Sequence, residues 1–517
     1  MRRWTVLLLA ATILLTVLSG CNKKVAVEDN EQHMTEISVE VFDRGSITSS
    51  EGSMEDNRWT RWVNEQMQQY NIRVKFVPIP RKEEETMLNL LFASNEAPDI
   101  CYTYKLSLVC NFAEAGGLLE LDKLVKEHGP DLTEFYETRP GLLDLGKYKG
   151  KQYGLPSGSW VDGAHALAVR KDWVDALGKA LPENREEYYH LLKDFKEKDP
   201  GNVGKERVIP ETCAVGGTGA GYNNIAVLSS FGITNYELVN TFDGKVYPME
   251  LQPGYRDYVI FMNKLYKEGL ISNEFAVDTD GKKSIEHTYG GLAGAWSGNH
   301  SWLYGSINEE TRRTVPSAEW TFVNNFPDES GKIHKVIAPA VGVYNIVPKS
   351  CENPDAVMIY LNWMAKEGGK YLMNGAEGEH YTLLDGYNIP KDREYNTKTL
   401  AYAGQNMALI RPDYYDAGYY ELISDDPVIG RLSKDNFLRM KDGAITPEFS
   451  ILDEVLSADI KYGTTLSSLT KSGIVKAIVS DDPGREYDKF KAEYLKSGGQ
   501  EKIDEMNEVY KRMSSGR

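Results

Sequence analysis

Ile37-Ser38-Val39-Glu40-Val41-Phe42 and Ile72-Arg73-Val74-Lys75-Phe76-Val77 are two short runs in which apolar and polar residues largely alternate. This alternation predicts a β-strand in each run, and Pro78-Ile79-Pro80 is expected to end the second one. Between the runs, apolar residues recur at the spacing of one helix face, and these are Trp59, Trp62, Val63, Met67 and Tyr70. A strand, a helix and a strand in this order predict the opening of a parallel α/β sheet.

The chain continues with a predicted helix over Glu84 to Ser94 and a third short strand that follows Ala97-Pro98-Asp99-Ile100. In open parallel sheets, ligands bind beyond the carboxyl ends of the strands. That rule places Asp43 and Arg44, together with the segment from Asp99 to Tyr104, at a candidate cleft.

A turn-rich segment from Tyr148 to Pro156 separates this part from a second set of predicted elements. These are the strand His165 to Arg170, the helices Lys171 to Leu177, Arg185 to Lys198 and Tyr255 to Glu268, the strands Gly290 to Trp296 and Gly342 to Val347, and a helix that begins at Asn353-Pro354. A chain of 517 residues is long for a single core. We therefore predict an α/β protein of more than one lobe, with the turn-rich segment as a crossover between lobes.

The amino terminus has the layout of an export signal. Arg2-Arg3 precedes an apolar run from Trp4 to Leu18, which is short for the roughly 20 residues that span a bilayer. Leu18-Ser19-Gly20-Cys21 resembles the lipobox of bacterial lipoproteins, and the resemblance implies cleavage before Cys21 and acylation of that cysteine. Residues 1–20 are thus expected to be a signal peptide and residues 21–36 a flexible tether.

The charge of the chain argues against two classes of partner. The formal net charge is −17, and it becomes −19 without the two arginines of the leader. Nucleic acid and anionic lipid would be repelled, and a highly anionic ligand is disfavoured. Aromatic residues make up 11% of the chain. Because indole rings stack on the apolar faces of sugars, a carbohydrate fits better than a nucleotide.

Some tryptophans are candidates for that role. Trp160, Trp296 and Trp302 lie among Gly, Ser, Asn and His, so both core packing and the lining of a cleft are open for them. Tryptophans in predicted amphipathic helices are expected to pack in the core, and these are Trp59, Trp62, Trp173 and Trp363. The candidate ligand-binding set is Arg44, Asp99, Tyr104, Trp160, Trp296 and Trp302.

The cysteines that follow Cys21 show no Cys-x-x-Cys motif and no regular spacing, and they are Cys101, Cys110, Cys213 and Cys351. This pattern argues against a zinc site and against a disulfide framework. Buried free thiols are favoured over a bridge between Cys101 and Cys110, which an oxidising compartment would allow.

Catalytic signatures are mostly absent from the sequence. It contains no Gly-x-Ser-x-Gly, His-Glu-x-x-His or Walker loop. Ser468-Leu469-Thr470-Lys471 matches a Ser-x-x-Lys pattern, but the companion Ser-Asp-Asn and Lys-Thr-Gly motifs are missing. A glycosidase needs only two carboxylates, so the 76 acidic residues leave that enzyme class open.

Several short motifs occur in an order that resembles a known family. They are the lipobox, Ala97-Pro98-Asp99-Ile100, Gly117-Leu118-Leu119-Glu120-Leu121-Asp122, Tyr153-Gly154-Leu155-Pro156, Arg170-Lys171-Asp172-Trp173, Tyr266-Lys267-Glu268-Gly269-Leu270 and Glu377-Gly378-Glu379-His380-Tyr381. Together they resemble the family 1 extracellular solute-binding lipoproteins of bacterial ABC importers, a group that includes oligosaccharide binders. The resemblance implies a two-lobed, periplasmic-binding-protein-like α/β fold of type II, with the ligand held in the cleft between the lobes. The chain would cross between the lobes more than once, with residues 37–156 and 340–422 in lobe 1 and residues 157–339 and 423–517 in lobe 2.

The resemblance also bears on metal binding. Many members carry a calcium loop, Asp-Pro-Asp-Gly-Asn-Gly, after the helix that here ends at Lys198. The segment from Asp199 to Arg207 instead reads Asp-Pro-Gly-Asn-Val-Gly-Lys-Glu-Arg, with glycine, valine and arginine where oxygen ligands are needed. No cofactor is therefore expected, and Asp199 is expected to be a turn residue.

The function implied is capture of an oligosaccharide or glycoside and its delivery to ABC permease subunits, without catalysis. The protein would be a monomer, lipid-anchored to the cell membrane through Cys21 on the extracellular or periplasmic side, with no nucleic acid partner. Two alternatives stay open: a surface-anchored carbohydrate-active hydrolase, and a ligand-sensing receptor without an importer. A peptide or another polar solute also stays open as the ligand.

Overall fold

Two groups of strands, each with its own core, organise the chain. The computed structural model describes residues 34–45, 47, 52–158, 165–215, 224–235, 237–279, 281–299, 306–337, 341–392, 404, 407–411, 415–445, 452 and 456–515. Cys21, Trp160 and Trp302 lie outside the described residues. Among the helices described, none has both the length and the apolar character needed to cross a membrane.

The secondary structure is mixed throughout. The strands are β1 (Thr35–Asp43), β2 (Ile72–Pro80), β3 (Cys101–Thr103), β4 (Lys147–Tyr148), β5 (Lys151–Gln152), β6 (Gly154–Gly158), β7 (His165–Arg170), β8 (Ile209–Thr212), β9 (Thr241–Phe242), β10 (Lys245–Val246), β11 (Ala293–Asn299), β12 (Trp320–Val323), β13 (Val341–Ile346), β14 (Tyr381–Leu384) and β15 (Tyr387–Pro390).

The α-helices are α1 (Arg58–Met67), α2 (Glu84–Ser94), α3 (Leu106–Glu114), α4 (Asp122–His128), α5 (Pro130–Glu137), α6 (Lys171–Ala176), α7 (Arg185–Lys198), α8 (Ile225–Ser229), α9 (Tyr255–Lys267), α10 (Lys282–Tyr289), α11 (Ser306–Thr314), α12 (Pro354–Trp363), α13 (Gly369–Asn374), α14 (Ala417–Leu422), α15 (Pro427–Lys441), α16 (Ser457–Val479), α17 (Pro483–Tyr494) and α18 (Gln500–Ser515). Short 3-10 turns cover Gln68–Tyr70, Arg81–Glu83, Leu143–Gly146, Lys205–Arg207, Glu237–Val239 and Met249–Leu251. The π-helical turn Met364–Gly368 joins α12 to α13, and the segment Leu495–Gly499, which is kinked at Ser497 and Gly498, joins α17 to α18.

The first lobe is built around β1. This strand pairs with β2 in parallel along its whole length. On its other side, a bridge from Val39 to Ile100 leads to β3, and the sheet continues in the order β3, β13, β6. Because β13 is antiparallel to both β3 and β6, the carboxyl ends of β1, β2, β3 and β6 lie at one edge. We call this edge of the first sheet the carboxyl edge.

The core of the first lobe forms where α1 and α12 pack against β1. Asn57 begins α1 because its side chain accepts hydrogen bonds from the N–H groups of Trp59 and Thr60 in a capping box. Trp59 and Trp363 then lie within the core, 2% and 3% exposed, as predicted. Trp62 is only half-buried and stacks on Tyr371, with the ring centroids 3.9 Å apart.

The prediction that Pro78 ends the second strand is wrong. β2 runs through Pro78 and Pro80, which pair with Val41 and Asp43 of β1. The strand tolerates two prolines because it lies at the edge of its sheet, where a missing N–H disrupts no second ladder.

The second lobe is built on a four-stranded sheet in the order β12, β7, β11, β8. Strand β7 alternates strictly: Leu167 and Val169 enter one core, and Ala166 and Ala168 enter another on the opposite face. Helices α7, α9, α16 and α17 contribute to the first of these cores. Two-sided burial is typical of a sheet with helices on both faces.

The chain passes between the two sheets three times. It leaves the first sheet after β6, returns between β12 and β13, and leaves again after residues 407–410, which lie in the first core. Tyr419 and Tyr420 of α14 pack in the second lobe with Trp320 and Phe437. The sheets and cores agree with the predicted two-lobed fold, and the residue bounds predicted for the lobes stay predictions.

Most predicted elements agree with the structure. The strand His165–Arg170 and the helices Glu84–Ser94 and Arg185–Lys198 have the predicted bounds. The strand expected from Gly290 begins later, at Ala293, because Gly290 and Gly291 form the turn that ends α10. Asn353 precedes Pro354 at the start of α12, but its side chain makes no cap hydrogen bond.

The cysteines at positions 101, 110, 213 and 351 are free thiols, and Cys351 alone of these is not fully buried. Cys101 donates a hydrogen bond of 3.3 Å to the carbonyl of Pro98. Burial raises the pKa values of Cys101 and Cys213 well above the ordinary thiol range, which keeps them protonated and unreactive.

Candidate functional site

All three connections between the lobes meet the carboxyl edge. Strand β6 ends there at Gly158, and β13 begins there at Val341, opposite Gly158. Arg411, at the start of the third connection, lies beside them. Its backbone N–H donates a hydrogen bond of 3.2 Å to Ser157 Oγ. Side chains at this edge therefore face the junction between the lobes, which is where open α/β sheets bind ligands.

Tyr104, directly after β3, is the centre of a cluster at this edge. Arg44, which follows β1, donates from Nη2 a hydrogen bond of 2.9 Å to the Tyr104 hydroxyl. The ring of Tyr104 lies nearly parallel to that of Phe42, with the centroids 5.6 Å apart and an interplanar angle of 11°. Tyr104 is 38% exposed, so an aromatic side chain with a polar tip is presented to solvent.

Arg81 joins this cluster from the end of β2. Its guanidinium carbon lies 4.4 Å from the Tyr104 ring centroid and 5.0 Å from that of Phe42. Its Nη1 is held at 2.6 Å by Glu84, a buried carboxylate whose other oxygen accepts from Thr103 Oγ1. The guanidinium is thus fixed by an ion pair on one side and by aromatic rings on the other.

Arg411 reaches the same hydroxyl from the third connection. A hydrogen bond with Tyr104 raises the pKa of Arg411, whereas burial and the nearby charge of Arg44 lower it. Burial is the largest of these effects. Since an arginine stays charged in proteins, Arg411 brings a further positive charge to Tyr104. We call Arg44, Arg81, Arg411 and Tyr104 the arginine cluster.

Hydrogen bonds between buried polar groups connect β1 and β3 next to the arginine cluster. Glu40 of β1 accepts a hydrogen bond of 3.0 Å from the Tyr102 N–H. The Tyr102 hydroxyl in turn accepts a hydrogen bond of 2.8 Å from the Phe42 N–H. Burial raises the pKa of Glu40 well above the ordinary value for a carboxyl, and the Tyr102 N–H lowers it by a smaller amount. Cross-strand bonds of this kind hold β1 and β3 in register below Arg44 and Tyr104.

The structure does not bring Asp99 to this cluster. Asp99 Oδ2 accepts hydrogen bonds from Ser38 N at 2.8 Å and from Ser38 Oγ at 2.7 Å, and the Asp99 N–H donates back to Ser38 Oγ. Ser38 is near the start of β1 and Asp99 precedes β3, so the pair is at the end of the sheet opposite Arg44. The described contacts of Asp99 are structural, and its role in ligand binding stays a prediction.

Among the predicted tryptophans, Trp296 lies in β11 and is 1% exposed. It packs with Trp320, Phe322 and Tyr420 in the second core of the second lobe. Of the two interpretations left open by the sequence, core packing describes this residue in the present structure. Trp160 and Trp302 lie outside the described residues.

The loop after α7 supplies its own polar contacts. Asp199 ends α7 with a φ of 46°, and its two carboxylate oxygens accept the N–H groups of Val203 at 2.9 Å and Gly204 at 2.8 Å. In the described part of the chain, no group of three or more His, Cys, Asp or Glu side chains is placed to hold a metal ion. Asp199 thus has the contacts of a turn residue, which is the role expected from the sequence.

Among the described residues, two carboxyls have raised pKa values, as a glycosidase acid requires. They are Glu40 and Glu211, and neither is exposed to solvent. Burial raises the pKa of Glu211 to about 7, while Asn224 and Tyr188 lower it by hydrogen bonds. Each carboxyl lies inside the core of a different lobe, so they do not form the pair that flanks a scissile bond.

The chain matches one protein-family model over most of its first three quarters. Residues 52–371, more than half of the chain, match the model described as bacterial extracellular solute-binding protein. The chain belongs to this family. Its members bind solutes outside the cell, and the fold of the chain is accordingly that of the periplasmic-binding-protein-like solute-binding proteins.

Individual proteins resemble the chain over most of its length. Lipoprotein LipO of Bacillus subtilis (strain 168) is 26% identical over 84% of this chain and 86% of that protein. The polygalacturonan/rhamnogalacturonan-binding protein YtcQ of the same strain is 24% identical over 85% of this chain and 86% of that protein. The Streptococcus pneumoniae ABC-transporter substrate binding protein FusA, solved in complex with kestose, superposes with a TM-score of 0.68 at 16% identity over 93% of this chain and 100% of that one.

Sequence reasoning missed two members of the arginine cluster. Arg81 follows β2 as Arg44 follows β1, so the same strand-end rule would have found it had the second strand not been ended at Pro78. Arg411 follows no strand, and only the return of residues 407–411 to the first core brings it beside Gly342, where an added Cβ would lie 3.3 Å from its Nη1. No local pattern in the sequence signals that contact.

Proposed function

We propose that this solute-binding protein captures a carbohydrate at the carboxyl edge of its first lobe and delivers it to an ABC permease. One observation carries the proposal: Tyr104, a partly exposed aromatic side chain ringed by hydrogen-bond donors, lies where the chain crosses between the lobes. Ligand hydroxyls accept from guanidinium groups, while an aromatic ring contacts the apolar face of a sugar. Membership of a solute-binding family supports the capture role.

The named relatives support a carbohydrate as the ligand class. YtcQ is named for binding polygalacturonan and rhamnogalacturonan, and FusA was solved with kestose. The name of FusA of Streptococcus pneumoniae also describes it as a fructooligosaccharide ABC transporter substrate-binding protein. We extend these descriptions to the present chain as a saccharide ligand and an ABC permease partner.

The two-lobed architecture provides the mechanism. Two lobes joined by three connections populate open and closed forms, and a ligand that contacts both lobes favours closure by its differential affinity. The permease then binds the closed form of the protein. This mechanism needs no chemical step from the protein, and the buried positions of Glu40 and Glu211 are consistent with binding without turnover.

The proposal includes a lipid anchor at the amino terminus. Cleavage before Cys21 and acylation of that cysteine would anchor a monomer to the outer face of the cell membrane, next to its permease. The lipobox motif and the similarity to a lipoprotein of Bacillus subtilis support this arrangement. Mass spectrometry of the protein from a membrane fraction tests it, because an acylated Cys21 adds a defined mass to the amino-terminal peptide.

Thermal unfolding tests the binding function. The chain truncated to begin after Cys21 is heated with oligosaccharides, monosaccharides and peptides, and each mixture is analysed afterwards for products. A saccharide at about 100 times its dissociation constant should stabilise the fold by roughly 2.7 kcal/mol. A saccharide-specific rise in melting temperature with the sugar recovered intact supports the proposal. Cleaved sugar supports the hydrolase instead, and a response to peptides alone overturns the ligand class.

A further inference from the structure

The hairpin formed by β14 and β15 contacts both lobes. It follows α13, which packs in the core of the first lobe. Its turn, Asp385-Gly386, has a positive φ at both residues, 50° and 88°, which is the conformation of a tight type I′ hairpin. The strands pair in register on either side of this turn. A two-residue turn and a fixed register make the hairpin a rigid unit.

The base of the hairpin is fixed to the first lobe by His380. This side chain is 4% exposed, and its ring centroid lies 5.7 Å from that of Trp59, a residue of the first core. Its Nδ1 accepts a hydrogen bond of 2.9 Å from the Ala376 N–H. Glu379 adds a bidentate ion pair with Arg58 of α1, with N–O distances of 2.9 and 3.2 Å. The residues that precede β14 therefore belong to the first lobe.

The second strand of the hairpin is held by the second lobe. The Tyr387 hydroxyl donates a hydrogen bond of 2.7 Å to Asp416 Oδ1. Asp416 also begins α14, since the same oxygen accepts the N–H groups of Gly418 and Tyr419. Tyr387 and Ile389 pack against the core that contains Tyr419. The hairpin thus reaches from one lobe to the other.

A glycine permits this contact. A Cβ added at Gly418 would lie 2.5 Å from the Tyr387 hydroxyl oxygen, and its three nearest heavy atoms would all belong to Tyr387. Gly418 lies in a helix, where glycine is less favourable than alanine. The close approach of Tyr387 therefore explains the glycine better than helix formation does.

The contact lies at the end of the third connection between the lobes. That connection runs from Arg411 to Asp416, and Tyr387 binds its last residue. The hairpin and the connection therefore join the second lobe at the same point, the start of α14. Two attachments that meet at one point allow rotation about it, while they oppose sliding and twisting of one lobe against the other. Closure stays possible, whereas fewer arrangements of the lobes are allowed before closure.

We propose that the β14–β15 hairpin is a strap between the lobes, and that Tyr387 is a positioning residue for ligand capture. The strap restricts the relative arrangements of the lobes before a ligand binds, so less conformational freedom is lost on closure. This inference rests on the lobe closure of the proposed function, but it does not require the ligand to be a saccharide. A test without ligand is therefore independent of the ligand class.

Distances between the lobes provide that test. Spin labels are attached to Lys123→Cys in α4 of the first lobe and to Lys471→Cys in α16 of the second lobe, two exposed positions. The chain begins after Cys21 and carries Cys351→Ser, because Cys351 is the described cysteine that is not fully buried. Pulsed electron paramagnetic resonance then gives the distribution of distances between the labels.

Two variants loosen the strap in different ways. Tyr387→Phe removes the hydrogen bond to Asp416, and Gly418→Ala displaces the whole side chain of Tyr387. We expect a broader distribution in both variants, by about 1.5-fold or more in Gly418→Ala. Tyr148→Phe is the matched control, because its hydroxyl bonds to Glu114 at 2.6 Å within the first lobe. The control should leave the distribution unchanged, and circular dichroism checks that each variant retains its fold.

A saccharide that binds the native chain then measures the effect on capture. In Gly418→Ala the association rate constant should fall by about threefold to tenfold, because the lobes start from more arrangements. The dissociation rate constant should change by less than about twofold, since no contact with the ligand is removed. An unchanged association rate constant with a lower melting temperature would show a purely structural role for Tyr387.

The outcomes separate this inference from the proposed function. Distributions of equal width in the native chain and Gly418→Ala overturn the strap and leave solute capture standing. Equal broadening in Tyr148→Phe also overturns it, because the loss of any tyrosine hydrogen bond would then have the same effect. Broader distributions in the strap variants alone, together with no saccharide bound by the native chain, support the strap and overturn saccharide capture.

Discussion

Arg44 Nη2 donates a hydrogen bond of 2.9 Å to the hydroxyl of Tyr104, which lies 60 residues further along the chain. The bond joins the residues that directly follow two neighbouring strands of one sheet. Tyr104 is 38% exposed, whereas Phe42 beneath it is 1% exposed. The pair thus combines a rigid apolar base with polar groups that face the junction of the lobes.

Tyr104→Phe removes the hydroxyl but keeps the ring contact with Phe42. We expect ligand affinity to fall by about twofold to tenfold, the equivalent of one net hydrogen bond, with stability changed by less than about 0.5 kcal/mol. Tyr189→Phe is the control, because its hydroxyl bonds to Glu268 at 2.7 Å in the second lobe. Calorimetric titration of both variants makes the comparison. A larger loss of affinity in the control variant would contradict a specific role for Tyr104.

Asp99→Ala should affect stability rather than binding. The side chain accepts two hydrogen bonds from Ser38, at 2.8 and 2.7 Å, and its removal leaves the Ser38 donors without their acceptor. We expect a loss of about 1–3 kcal/mol in the free energy of unfolding, measured in urea, with ligand affinity unchanged. If the variant instead bound the ligand more weakly and unfolded at the same free energy as the native chain, Asp99 would be a ligand-binding residue.

Glu211 should make the stability of the protein depend on pH. Burial raises its pKa from the ordinary 4.5 to about 7 in the folded state. The folded state therefore holds this proton more tightly than the unfolded state. Its contribution to stability is fully present below about pH 4.5 and is lost as pH rises to about 7, a change of about 3 kcal/mol.

Glu211→Gln removes this titration while keeping an acceptor for Asn224, whose Nδ2 donates to Glu211 Oε1 at 2.8 Å. Urea unfolding from pH 4.5 to 8 is measured for both proteins. The native chain should lose stability relative to the variant as pH rises through this range. Parallel curves for the two proteins would show that Glu211 does not titrate there.

Calcium should have little effect on this protein. Both carboxylate oxygens of Asp199 already accept backbone N–H groups, from Val203 and Gly204, so the loop is satisfied without an ion. We expect the melting temperature to be the same in EDTA and in millimolar calcium. A rise of several degrees with calcium, lost on Asp199→Ala, would show that the loop still binds the ion.

Patterns local in sequence predicted the fold well. The alternation in β1 and the helical spacing in α1 predicted these elements because each buries apolar residues in the core of the first lobe. The strand-end rule also predicted that Arg44 and Tyr104 lie at one edge of the sheet, since carboxyl ends of parallel strands meet there. Their role in ligand binding stays a prediction.

Such local patterns do not predict contacts between segments that are distant in the sequence. Whether Trp296 packs in the core depends on Trp320 and Tyr420, which belong to other elements and are far apart in sequence. The strand-end rule assigned Asp99 to the cleft as part of the segment that ends at Tyr104, whereas its hydrogen-bond partner Ser38 is 61 residues away. Arg411 joins the cluster only because a late segment returns to the first lobe.

Small-angle X-ray scattering of the truncated chain tests the central claim, that a saccharide binds between the lobes at the carboxyl edge and closes them. Scattering is recorded without ligand and with a saturating amount of the saccharide that raises the melting temperature most, for the native chain and for Arg44→Gln. We predict a smaller radius of gyration for the native chain with saccharide, and no change for the variant at the same concentration. An unchanged radius of gyration at proven saturation of the native chain would contradict binding between the lobes.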